Sequence, residues 1–216
     1  MKCSFRGKIA GVLLAGGQAR RMGGINKCLL SLSGKPLLTH VLERAEPQVG
    51  PIVLNANGDP ADYVEFALPV APDVVSGSAG PLAGILTGLE WVAKNAPNCT
   101  LVASFPGDSP FFPRDLVEKL YQEIQAGSAM AYASSGKRHH PVFGLWPVAK
   151  RHELREALLV NKIRKVDRWT SQHKLGIVDY PVNTTDPFFN LNTPEDLAEA
   201  EKYFRVDANG LSNENH

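Results

Sequence analysis

Short apolar runs alternate with stretches of helical period along most of the chain. Ile9–Leu14 predicts a first strand. Pro36–Ala45 predicts a helix with Leu37, Leu38, Val41 and Leu42 on one side. A second strand is expected over Pro51–Asn55, ending in polar Asn55. A helix opened by Gly-Pro is expected over Pro81–Lys94, with Leu82, Ile85, Leu86, Leu89 and Trp91 buried. Thr100–Phe105 reads as a third strand, stopped at Pro106-Gly107, and Leu116–Gln125 as the next helix. Ala129–Ala133 and Gly176–Tyr180 read as further strands, and Pro141–Trp146 as one that is antiparallel or at an edge. Short helices are expected around Glu153–Leu159 and Val166–Ser171. Thr193-Pro194-Glu195-Asp196 predicts the start of a last helix, with Thr193 as N-cap and acids near the positive helix end.

This order predicts an α/β protein in three layers, a mostly parallel sheet with helices on both faces. Such sheets bind ligands at the carboxyl ends of their strands, so polar residues just after Leu14, Leu54 and Phe105 should converge on one crevice. No internal repeat or interdomain linker is evident. A single domain is expected over residues 1–204, and the polar, Asn-rich segment 205–216 reads as a disordered tail.

Composition narrows the function. The chain has 216 residues, 44% of them hydrophobic, enough to bury a sizeable core. Lys plus Arg is 23 against 22 for Asp plus Glu. That balance argues against a nucleic-acid binder and leaves room for a local basic loop. Cys3, Cys28 and Cys99 are odd in number and far apart, which suggests neither a disulfide framework nor a zinc site and fits a reducing cytoplasm. Cys28 reads as a small packed thiol. No run approaches the ~18 apolar residues of a membrane span. The apolar stretch Ile9–Ala15 ends in glycines, not in a signal-peptidase site.

The strongest chemical signal follows the first strand: Leu14-Ala15-Gly16-Gly17-Gln18-Ala19-Arg20-Arg21-Met22-Gly23-Gly24-Ile25-Asn26-Lys27. Glycines let the backbone approach a ligand and turn N–H groups inward as an anion nest. Arg20, Arg21 and Lys27 add cations suited to a triphosphate. The Walker pattern is absent, since Cys28 follows Lys27, and so is the Rossmann Gly-x-Gly-x-x-Gly.

The Leu-Ala-Gly-Gly … Arg-Met-Gly-Gly … Lys run resembles the signature loop of the nucleotidyltransferase superfamily, and within it the molybdenum cofactor guanylyltransferases, which transfer GMP to the pterin. The resemblance extends from Ile9 to about Phe204. Its further landmarks are Asn55-Ala56-Asn57, Asp73, Gly80-Pro81-Leu82-Ala83-Gly84, Pro106-Gly107-Asp108-Ser109-Pro110, His140-Pro141 and Asn190-Leu191-Asn192-Thr193-Pro194-Glu195-Asp196-Leu197. It implies a Rossmann-like nucleotidyltransferase fold. Leu14, Ala15, Gly16 and Gly17 would be backbone contacts to the nucleotide, and Asn55 and Asp73 contacts to guanosine. Lys27 and Arg21 would hold phosphates, and Asp108 would bind magnesium, with manganese as an alternative ion. Two departures stand out: many relatives carry Asp where this chain has Asn26, and often an acid where it has His139.

The chemistry can be argued independently. Nucleotidyl transfer brings an anionic phosphate to an anionic α-phosphorus, and a hard cation bridging the phosphates reduces the repulsion. Asp108 stands after a buried strand, where such an ion would sit, although Asp-Ser-Pro is also turn-rich. No general base is needed, because a phosphate dianion is already nucleophilic. Ser104, His140 and Asp108 make a triad only on paper, with no nucleophile elbow.

In resembling families Ala-Gly-Gly accompanies purine nucleotides, so Ala15-Gly16-Gly17 implies GTP. His140, Asn190 and Asn192 are candidates for binding the acceptor, molybdenum-molybdopterin. His140 reads equally as a simple strand-entry residue, and the two asparagines as a cap for the following helix. Lys137-Arg138 reads as a solvated loop unless it meets an anion. The implied protein partners are the molybdenum-cofactor insertion and delivery proteins. The alternatives are a cytidylyl- or sugar-phosphate nucleotidyltransferase, or a nucleotide-binding module without catalysis.

Overall fold

The computed structural model describes residues 5–16, 26–75, 80–182 and 185–210, except the side chains of 205–210. Strand β1 (Ile9–Leu14) alternates its faces: Ile9 and Leu13 enter one core, Ala10 and Val12 the other. A turn of 3-10 helix at Lys27–Leu29 leads to a small hairpin, β2 (Ser31–Leu32) with β3 (Lys35–Pro36). Then come α1 (Leu37–Ala45), β4 (Ile52–Asn55), β5 (Val70–Ala71), α2 (Pro81–Asn95), β6 (Leu101–Pro106) and α3 (Leu116–Gln125). The second half runs β7 (Met130–Ser135), β8 (Arg138–Pro147), α4 (Arg151–Leu159), α5 (Val166–Thr170), β9 (Leu175–Tyr180) and α6 (Pro194–Gly210).

The main sheet has the order β5-β4-β1-β6-β8-β7-β9. Helices α1 and α3 cover one face, and α2, α4 and α5 the other. The three-layer expectation therefore holds. Leu42 and Trp91, expected to be buried, are half-buried at the margins of the two cores. Thr193 does cap α6: its hydroxyl accepts the Asp196 N–H at 3.1 Å, while Asp196 takes the Thr193 N–H at 2.8 Å. The α6 backbone stays helical through Gly210, past the boundary read at residue 204.

Strand β8 takes the antiparallel one of the two expected arrangements. It is interior, between β6 and β7, and not at an edge. A two-residue turn at Gly136-Lys137, both at positive φ, folds it back on β7. Leu145 and Trp146 then enter opposite cores. Lys137 and Arg138 thus belong to a tight hairpin rather than a loop.

Two features position the site. Strand β1 lies between β4 and β6 in parallel register, so Leu14 stands beside both Asn55 and Pro106. The chain fills one side of β1 and then crosses to the other, making a switch point at these carboxyl ends. The second feature is a bulge in β8. Tyr132 pairs with Gly144, but Ala133 pairs with His140, so residues 141–143 have no partner on β7. Pro141 has no N–H for the ladder, and the bulge turns this segment toward the strand ends.

Candidate functional site

At the carboxyl ends of β1, β4 and β6 lies a cleft of about 1040 Å³. Leu14, Ala15 and Gly16 form its floor, Asn55 and Asp73 one side, and Asp108, His140 and Asn190 the other. The polar residues after the three strands therefore converge as expected.

The nucleotide side is held by a network of amides and one carboxylate. Asn55 Nδ2 donates to Asp73 Oδ1 at 2.9 Å, and Asn57 Nδ2 to Asp73 Oδ2 at 2.8 Å. Asn57 Oδ1 accepts the Asp73 N–H at 2.8 Å. The carboxylate is thus fixed from both sides with its remaining lone pairs free to accept. Helix α2 must approach closely here: a Cβ at Gly84 would stand 2.3 Å from Asn55 Oδ1 and 2.6 Å from Leu14 Cδ2. Only glycine allows that contact.

On the other side Lys27 Nζ is 3.9 Å from Asp108 Oδ2 and donates to Asn192 Oδ1 at 2.6 Å. Lys27 opens the 3-10 turn that Asn26 caps, with Asn26 Oδ1 accepting the Cys28 N–H at 3.2 Å. Asn26 Nδ2 also donates to the Tyr63 hydroxyl. The amide thus serves as donor and acceptor at once, where an ionised Asp would only accept. Gly107 packs over Cys28, since a Cβ there would lie 2.6 Å from its Sγ. Burial pushes the Cys28 thiol up to about 12, so it is a packed group and not a nucleophile.

Burial also raises the Asp108 carboxyl above its ordinary value, and Lys27 pulls it back. A partly desolvated carboxylate with Lys27 as its one nearby cation among the described residues suits a further positive charge. Among the described residues no three His, Cys, Asp or Glu side chains stand close enough to hold a metal ion by themselves. A metal here would be shared between Asp108, water and ligand phosphates, the coordination magnesium favours.

Asn190 and Asn192 reach this pair from the segment before α6. Buried Ser109 donates to Asn190 Oδ1 at 2.5 Å, and Leu191 N–H donates to the Asp108 carbonyl at 2.9 Å. Ser104, His140 and Asp108 form no triad, in keeping with the missing nucleophile elbow: Ser104 Oγ donates to Val142 O at 2.5 Å and accepts the Trp146 N–H at 2.8 Å. His140 instead meets Ser135 Oγ at 2.7 Å. Burial lowers its pKa; Asp186 opposes this, and Arg138 and His139 reinforce it. His139 lines the cleft and meets the Tyr132 hydroxyl at 3.1 Å. Arg20, Arg21 and Gly17 lie outside the described residues. Reading the sequence missed Ser109, Tyr63, Ser135 and Asp186. Ser109 adjoins a motif and could have been suspected, whereas nothing local marks the other three.

Known proteins resemble this chain over most of its length. Residues 11–175 match the family model described as the MobA-like NTP transferase domain. A molybdenum cofactor guanylyltransferase of Bradyrhizobium sp. (strain ORS 278) is 52% identical over 203 residues, covering 94% of this chain and 96% of that protein. The chain belongs to the molybdenum cofactor guanylyltransferase family. A solved molybdopterin-guanine dinucleotide biosynthesis protein A of Archaeoglobus fulgidus superposes with a TM-score of 0.71 at 26% identity, covering 91% of this chain and 99% of its own. A Mycobacterium tuberculosis protein solved in complex with manganese shares the fold, with a TM-score of 0.64 at 16% identity, covering 90% of this chain and 98% of its own. No helix among the described residues is long and apolar enough to cross a membrane.

Proposed function

We propose that this protein transfers GMP from GTP to the terminal phosphate of molybdenum-molybdopterin, releasing pyrophosphate and giving the guanine dinucleotide cofactor. The observation that carries this reading is the meeting of Lys27 and Asp108, 3.9 Å apart, at the strand ends beside the Asn55–Asp73 network. Asn55 and Asp73 present acceptors for the donor groups of guanosine, while Leu14, Ala15, Gly16 and Gly17 offer backbone to the nucleotide. Lys27 and Arg21 neutralise phosphate charge. Asp108 would hold magnesium together with water and phosphate oxygens, with manganese as the alternative ion, and the ion would neutralise charge during transfer. The protein's own part is to align the acceptor phosphate with the α-phosphorus and keep both in a partly desolvated cleft.

His140, Asn190 and Asn192 form the acceptor side. Asn192 is bonded to Lys27, and Asn190 through Ser109 to the neighbourhood of Asp108, so an acceptor phosphate there would adjoin the triphosphate. Family membership turns the reading away from cytidylyl or sugar-phosphate transfer and from a silent binding module. Cytoplasmic residence, passing contacts with cofactor insertion and delivery proteins, and a single domain followed by a short tail complete the reading. Pyrophosphate release with magnesium, GTP and molybdenum-molybdopterin tests it. Release with GTP but not CTP is expected, and equal use of both would refute the guanosine assignment.

A further inference from the structure

His140 lies on the cleft wall with Nε2 2.7 Å from Ser135 Oγ. Ser135 Oγ is in turn 2.8 Å from Asp186 Oδ1, an oxygen that also accepts the Phe188 N–H at 2.9 Å. Donor and acceptor chemistry sets the direction of this relay. A carboxylate only accepts, so the Ser135 hydrogen points to Asp186 and the hydroxyl lone pair faces His140. Nε2 therefore carries the ring proton, and in the neutral ring Nδ1 is a lone pair. Nδ1 has no hydrogen-bond partner among the described residues, and His140 lines the cleft. Phe188 packs on the ring with centroids 4.7 Å apart, backed by Phe143 and Tyr180, which holds the ring plane. Burial depresses the pKa of this imidazole, in keeping with a neutral ring.

We propose that His140 is a specificity residue for the acceptor, taking on Nδ1 a hydrogen bond from an N–H of the acceptor's nitrogen heterocycle, and that Ser135 and Asp186 are positioning residues that hold the required tautomer. This rests on the guanylyl-transfer reading above. A lone pair repels a phosphate oxygen and suits a ring N–H, so His140 reads the heterocycle and not the phosphate. The same segment that carries Asp186 continues to Asn190 and Asn192. One stretch of backbone thus spans from the heterocycle contact to the Lys27–Asp108 pair.

Steady-state kinetics with GTP, magnesium and molybdenum-molybdopterin test this, together with 15N NMR of the histidine rings. Wild-type His140 is expected in the Nε2–H form. Asp186→Ala leaves the Ser135 hydroxyl free to donate to Nε2, so the Nδ1–H form should appear. Ser135→Ala should raise the KM for the acceptor on the order of tenfold, the cost of one lost buried hydrogen bond, with the KM for GTP unchanged. His140→Asn, whose carboxamide reaches about as far as Nδ1, should retain more acceptor affinity than His140→Gln, which reaches about as far as Nε2. This pair carries the test should Ser135→Ala fail to fold. A wild-type ring in the Nδ1–H form, an unmoved acceptor KM in Ser135→Ala, or equal behaviour of the two His140 variants would overturn the inference alone. A wild-type protein inactive with this acceptor would overturn the guanylyl-transfer reading and this inference with it.

Discussion

The two walls of the cleft are built in opposite ways. The proposed nucleotide wall grows from strand ends: Leu14 and Asn55 end parallel strands held in one register, and Asp73 is 18 residues from its partner Asn55. The acceptor wall is gathered from distant pieces. Ser135 meets Asp186 across 51 residues, Ser109 meets Asn190 across 81, and Lys27 meets Asn192 across 165. A wall made of strand ends inherits its geometry from the sheet ladder. A wall made of long-range side-chain contacts depends on how the segment before α6 docks. Substitutions on the first wall should therefore act mainly on the nucleotide, and those on the second mainly on the acceptor.

The largest expected effect breaks both walls at their junction. Asp108→Ala should lower turnover on the order of a thousandfold, by removing the carboxylate that would hold the metal. Circular dichroism should show the fold intact, and unchanged turnover would remove Asp108 from the site. Next, Lys27→Ala should weaken GTP binding about tenfold to a hundredfold, the range for a charge-assisted contact. Calorimetric titration gives the constant, and an unaltered value contradicts the assignment.

Gly84→Ala sharpens the comparison, because it touches the nucleotide wall only. Its Cβ would meet Asn55 Oδ1 at 2.3 Å, and Asn55 is pinned by Asp73. The clash should cost about 1–3 kcal/mol, exceeding the ~1 kcal/mol that alanine gains in a helix. GTP affinity should fall several-fold, about what 1 kcal/mol implies, with the acceptor KM spared. A matching rise in acceptor KM would mean the two walls are not independent.

The smallest effect is on stability. Because burial raises the Asp108 pKa in the folded state, the folded protein binds that proton more tightly than the unfolded chain. Stability from this group is present at low pH and lost as pH rises past the ordinary carboxylate value. Asp108→Asn should therefore melt a few degrees higher than wild type at neutral pH in chelator, as ~1 kcal/mol would do. The gap should close as pH falls into the carboxylate range. An unchanged melting temperature at neutral pH would mean that Lys27 fully compensates the buried charge.

Legibility divided along the same lines. The strands Ile9–Leu14, Pro51–Asn55 and Thr100–Phe105 stood out because each is apolar on both faces and bounded by turn residues, and the motif residues follow them directly. For β8 the sequence leaves antiparallel and edge placements open, because its interior position depends on pairing with β6 and β7, strands that only the folded sheet brings to its two sides. Lys137-Arg138 looked like a loop because nothing local announces that Lys137 accepts a positive φ. Ser135 and Asp186 carried no signal, since a serine and an aspartate far apart look like any surface pair.

What the amino-acid sequence determined by itself is the layered α/β order, the family and the chemistry of the nucleotide side. Those follow from local periodicity and from short motifs attached to strand ends. Tertiary structure alone decided which residues stand opposite the nucleotide: the β8 bulge, the relay behind His140, and the docking of Asn190 and Asn192 against Asp108 and Lys27. The physical reason is that hydrogen bonds between distant side chains form only after the two cores have packed and brought their backbones into reach.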